Sequence, residues 1–159
     1  MLRMGEKAFG EGAVEYCRFY GMDVPYTQRS TFAFGGPVFV TAALVGTAIS
    51  NSAARNNAQR MAVPQWRFDG YPHVVLTSSR MLIRNPSNYQ WQSFSHSSVI
   101  EFGPAVQEYS LRLGYQEYPP VRLRGPFVPW LSVVLAACLY PREHVPGLPC
   151  FAPLSMYPP

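Results

Sequence analysis

At 159 residues the chain is the size of one domain and long enough to bury a real core, which sets it apart from small scaffolds that depend on disulfide or metal staples. Hydrophobic residues make up 48% and charged residues only 14%, so the chain is short of polar surface: either an apolar segment leaves water or a partner covers part of the molecule. The net charge of +4, with arginine supplying 12 of the 13 basic residues, would suit an anionic membrane surface or nucleic acid, yet no run of Lys or Arg marks either.

Residues 1–30 read as an N-terminal lead-in. The first thirteen are Gly-rich and are expected to be loose. MLRMGEKAFGEG has no apolar stretch of the secretory type, and Leu2 excludes myristoylation, so neither a cleaved signal nor that lipid anchor is expected. VEYCRFYGMDVPYTQR predicts a short strand or an irregular segment. Residues 31–62 predict a long apolar-to-polar helix. Pro37 stands in its first turn, where a missing N–H costs nothing, and Pro64 ends it. No charge occurs from Ser30 to Ala54, and Val38 to Ile49 is apolar on every side, so this part must sit in a core or in lipid. TFAFGGPVFVTAALVGTAIS, residues 31–50, would extend about 30 Å as a helix, just enough to span a bilayer. Its eight strong apolar side chains favour insertion by roughly 2.5 to 5 kcal/mol, and its glycines, proline, hydroxyl residues and alanines give most of that back. Ala42, Gly46, Ser50 and Ala54 recur four apart, a smooth helix-packing stripe for the same segment of a second chain or for a later helix. Arg55, Arg60 and Arg67 follow the segment and favour a cytoplasmic C-terminal side.

Beyond Pro64 the hydrophobic period becomes two. QWRF, HVVLT, RMLIR, QWQSF, SVIEF, YSLRL and PVRLR are separated by turn chemistry, among it Asp69-Gly70, Thr77-Ser78-Ser79 and Asn85-Pro86-Ser87-Asn88. Short alternating runs at this spacing predict an antiparallel meander or barrel. Leu111 and Leu113 share one face opposite Arg112, and Val121 and Leu123 share one face opposite Arg122 and Arg124. An uncharged stretch follows, with a helix predicted from Pro129 to Tyr140 and closed by Pro141. At about 18 Å it is too short to span a bilayer, and it is expected to plug the open barrel. Residues 141–159 hold six prolines and read as an extended or disordered tail.

The order of elements and the run HVVLTSSRMLIRN, in which a strand ends in a Thr-x-x-Arg turn, resemble bacterial pleckstrin-homology-like (PH-like) and GRAM-like domains. YQWQSF and SVIEF are similar to the following strands, and the resemblance covers residues 64–140. The uncharged capping helix departs from the family's amphipathic one, and suggests cover on a second side by residues 37–50. The resemblance implies an α+β fold: an antiparallel PH-like β-barrel or meander capped by a C-terminal helix, here preceded by the long apolar helix. It also implies a scaffold that binds phosphoinositides, other anionic lipids or peptides, without catalysis.

The residues themselves offer little for chemistry. His73, His96 and His144 are far apart, and Cys17, Cys138 and Cys150 form no CxxC pair, so no metal, no cofactor and no disulfide framework are expected. Cys138 reads as a small core residue, and Cys150 with His144 is a conceivable nucleophile pair in a tail too flexible to align it. Aspartates are two, and Glu101 is expected to face water opposite Ile100 and Phe102, so a two-carboxylate mechanism lacks residues and no enzyme activity is expected. The ligand-binding candidates are Arg112, Arg122 and Arg124 on one sheet face, with Arg80 and Arg84 near the first hairpin. Glu108 and Glu117 could neutralise that face. Trp66, Trp91 and Trp130 read as core residues or, alternatively, as interfacial anchors. The reading is a membrane-associated, non-enzymatic module with its β domain on the cytoplasmic side, which recognises an anionic lipid headgroup or a protein partner. Its alternative is a cytoplasmic homo-oligomer with a buried helical pair and no lipid ligand; nucleic acid is not an expected partner.

Overall fold

The computed structural model describes residues 2–21, 56, 59–85 and 88–156. The chain divides into two compact units, residues 1–19 with 66–159, and residues 20–65. In the second unit residues 59–62 are helical and Pro64 follows; most of the helix expected over residues 31–62 lies outside the described residues. The membrane segment at 31–50 and the stripe of Ala42, Gly46, Ser50 and Ala54 lie outside the described residues. Among the described residues no helix is long and apolar enough to cross a membrane, so the long apolar helix expected ahead of the sheets is not found there.

The other described residues include nine strands and one α-helix: β1 (Ala8–Ala13), β2 (Glu15–Tyr20), β3 (Gln65–Gly70), β4 (His73–Thr77), β5 (Arg80–Arg84), β6 (Trp91–Ser95), β7 (Val99–Ala105), β8 (Ser110–Tyr115), β9 (Val121–Arg124) and α1 (Val128–Leu139). Every alternating run read from the sequence is a strand. They do not form one meander, however. One sheet has the order β1-β4-β5-β6 and the other β3-β2-β9-β8-β7. Two three-stranded meanders, β4-β5-β6 and β7-β8-β9, are each extended by half of the N-terminal strand. Ala13 pairs with His73 in the first sheet, and Glu15 with Arg124 in the second. The break falls at buried Val14, whose N–H donates to the Pro72 carbonyl at 3.2 Å. Gly70, at φ 117°, takes a left-handed conformation as β3 gives way to β4.

The N-terminus is thus a strand where glycine content suggested a loose chain. The glycines have another role: a Cβ on Gly12 would lie 2.7 Å from Phe127 Cγ, and one on Gly10 would lie 2.5 Å from the Trp130 ring. Phe127 and Trp130 are stacked on each other, centroids 4.9 Å apart, and they use the space that the missing side chains leave.

Leu76, Met81, Ile83, Leu111, Leu113, Val121 and Leu123 point from the two sheets into one core, which Val128, Leu131 and Leu135 of α1 complete. The helix begins with Pro129 in its first turn and stops before Pro141. Its buried Ser132 is satisfied by donating to the Val128 carbonyl at 2.8 Å. The opposite side of α1 is also covered; residues 37–50, expected to cover it, lie outside the described residues. Ala136 belongs to a second cluster with Val106, Val145 and Phe151. The last two come from the C-terminal tail, which forms 3-10 turns over Arg142–Gly147 and Pro149–Met156. The proline-rich tail is therefore ordered as far as 156. Its apolar side chains cover α1, which explains a helix with no polar side.

Candidate anion-binding face of the five-stranded sheet

The register of β8 on β9 places Leu111 opposite Leu123 and Arg112 opposite Arg122. All four core-facing side chains here, Leu111, Leu113, Val121 and Leu123, are fully buried, so the pleat sends Arg112, Arg122 and Arg124 to the outer face. Two rows cross that face. Cys17, Arg122, Arg112 and Gly103 form one, and Glu15, Arg124, Ser110 and Ala105 the other. Between them lies a shallow depression of about 370 Å³, lined by Trp66, Gly103, Glu108, Arg112, Arg122 and Arg124.

Each arginine is held differently. Arg112 Nη2 lies 2.8 Å from Glu101 Oε1, with both side chains about half exposed. Arg124 Nη1 is 4.0 Å from Glu15 Oε1. Exposed pairs of this kind contribute about 0–1 kcal/mol and exchange readily. Arg122 has no carboxylate partner among the described residues. Its guanidinium lies 4.9 Å from the Trp66 ring centroid, Nη2 is 3.9 Å from Cys17 Sγ, and Nε is buried without a hydrogen bond. Glu101 and Glu15 pair with Arg112 and Arg124, and Glu108, one of the two glutamates to which the sequence pointed, lines the same depression. A β-bulge between Val99 and Glu101 turns Ile100 outward, so Ile100 is exposed and not inward as its alternation implied.

The other two candidate arginines stand on the four-stranded sheet. Arg80 is engaged in the structure: Nε donates to Glu6 Oε1 at 2.8 Å, Nη2 to Glu6 Oε2 at 2.9 Å and Nη1 to Ser93 Oγ at 3.2 Å. Thr77 Oγ1 accepts from the Arg80 N–H at 3.1 Å and reaches Glu6 Oε1 at 2.6 Å, so the Thr-x-x-Arg turn is the socket for a carboxylate from the N-terminus. Arg84 lies with its guanidinium 5.3 Å from the Tyr89 ring centroid. The five arginines therefore do not form one site.

The Arg80 fork, then Thr77, holds the Glu6 carboxyl well below the usual carboxylate range. A depressed carboxylate stabilises the fold above its unfolded-state pKa, and that stability is lost as pH falls and the unfolded chain takes up the proton first. Glu6→Gln is accordingly expected to lower the urea midpoint at pH 7, with the gap to wild type narrowing below about pH 4.3. An equal gap in urea melts at neutral and strongly acidic pH would contradict this role for Glu6.

His73 Nδ1 is 4.0 Å from Glu11, and burial lowers the His96 pKa. Among the described residues no three His, Cys, Asp or Glu side chains gather as a metal site. All three cysteines are free, and Cys138 is only partly buried. Burial pushes the Cys150 thiol up, which opposes thiolate formation. Trp91 and Trp130, expected in the core, are 46% and 40% exposed. Sequence reasoning missed Glu15, Cys17 and Phe19 as members of the arginine face. The signal was present in EYCRFY, whose alternate residues separate as Glu15, Cys17, Phe19 and Tyr16, Arg18, Tyr20.

No family model matches the chain, and no curated protein matches it. Among solved structures it is similar to the Vps36 N-terminal PH domain, with 12% identity and a TM-score of 0.44 over 87% of this chain and 83% of that one.

Proposed function

We propose that this chain is a non-enzymatic, PH-like binding module that holds the phosphate of an anionic lipid headgroup on the outer face of its five-stranded sheet, at Arg112, Arg122 and Arg124. The observation that carries the reading is the direct cross-strand pairing of Arg112 with Arg122 beside a depression. Like charges at opposed positions repel. Glu101 relieves Arg112 alone, whereas a phosphate oxygen pair would accept from both guanidinium forks. The module would act at the cytoplasmic surface of a membrane.

Flotation with phosphatidylcholine–phosphatidylserine vesicles tests it. At about 1 kcal/mol per arginine near an anionic surface, Arg112→Ala with Arg122→Ala and Arg124→Ala should weaken binding by about 100-fold. Far-ultraviolet circular dichroism checks that the variant remains folded. Undiminished flotation of the folded variant rejects the site.

A further inference from the structure

The same sheet face continues beyond the arginines into an aromatic cluster. Trp66 and Phe68 share one face of β3, the edge strand of the described sheet, and Phe19 of β2 packs on Trp66 with ring centroids 5.3 Å apart. Tyr71 follows at the end of β3 and meets Phe68 edge-on at 5.2 Å. Phe68 is 56% and Tyr71 71% exposed. An edge strand normally blunts itself with charge on its exposed positions. Here those positions carry large rings, beside Arg122, which has no carboxylate partner among the described residues.

We infer that Phe19, Trp66, Phe68 and Tyr71 form an interfacial wedge that enters the headgroup layer of an anionic bilayer while the adjacent arginines hold its phosphates. The inference rests on the reading of the arginine face given above. Three features favour a bilayer over other occupants. The rings are amphipathic or apolar and adjoin cations, the arrangement that suits the boundary between headgroups and acyl chains. They pack on one another, and Arg122 lies over Trp66, so the flat faces that successive bases of a single strand would need are partly occupied. The net charge of +4 is small for a surface that must neutralise many backbone phosphates.

Salt separates the two contributions, because the screening length falls from about 10 Å at 0.1 M to about 3 Å at 1 M while burial of rings persists. The full chain is floated with phosphatidylcholine–phosphatidylserine vesicles at both salt concentrations. Wild type should keep a bound fraction in high salt. Phe68→Ser with Tyr71→Ser should reduce that fraction by about tenfold, whereas the triple arginine variant should lose binding mainly in low salt. In a second readout, Phe68→Trp should shift its emission to the blue when vesicles are added. Wild-type flotation by the folded Phe68→Ser/Tyr71→Ser protein in high salt overturns the wedge and leaves the arginine site standing. Unchanged low-salt binding by the arginine variant, together with loss in the aromatic variant, overturns the arginine site and leaves the wedge. No flotation of wild type in either salt, with capture of a labelled single-stranded oligonucleotide, overturns both.

Discussion

Leu131→Ala is expected to destabilise the protein by about 3–5 kcal/mol, read as a lower urea midpoint. Leu131 is fully buried and stands on α1 among side chains from both sheets, next in the same cluster to Val128 and Leu135. Truncation to alanine removes apolar atoms from a site that is walled on every side, so the surrounding sheets can collapse on the cavity only in part. A surface leucine would change stability by about 0.5 kcal/mol at most. A loss below about 1 kcal/mol would mean that α1 does not complete the core as described.

Phe151→Ala should cost about 3 kcal/mol, and it tests a different layer. Phe151 is almost fully buried in the second cluster, beside Ala136 of α1 and edge-on to Phe102 at 6.5 Å between ring centroids. Its loss leaves the tail with Val145 as the one other buried side chain in that cluster. The outcome has a local signature: limited proteolysis should cut the variant between Arg142 and Gly147 at protease levels that spare wild type, because local undocking exposes the backbone. Equal resistance of the two proteins would show that the tail is held by something other than Phe151.

These two residues also mark what the sequence makes visible. Leu131 lies in an uncharged run bounded by prolines, and both its helix and its burial can be read from period and composition. Likewise Leu111, Leu113, Val121 and Leu123 announce their inward face through strict alternation with arginine, and the outward position of Arg112, Arg122 and Arg124 follows. Phe151 lacks such a signal. Proline density suppresses helix and strand periodicity alike, and the ordering of the tail comes from long-range burial against α1. Gly10 and Gly12 mislead for the opposite reason. Read locally, glycine means freedom; here it is the clearance that two rings need, and those rings lie more than a hundred residues later in the chain. The arginine face was half legible for a similar reason. Its β8 and β9 members are near neighbours in sequence, but Cys17, Glu15 and Trp66 join them through pairings that no local pattern encodes. Arg80 looked like a candidate because it is a cation in a turn; its partner, Glu6, comes from a segment that seemed unstructured.

Because the first strand is split between the two sheets, neither is complete until distant parts of the chain have met. Glu15 waits for Arg124, and Ala13 for His73. Such pairings are long-range in sequence, so loop closure must come before the contacts that reward it, which slows folding. The partners of this N-terminal segment lie far later in the chain, and its strand edges stay unpaired until those pairings are made.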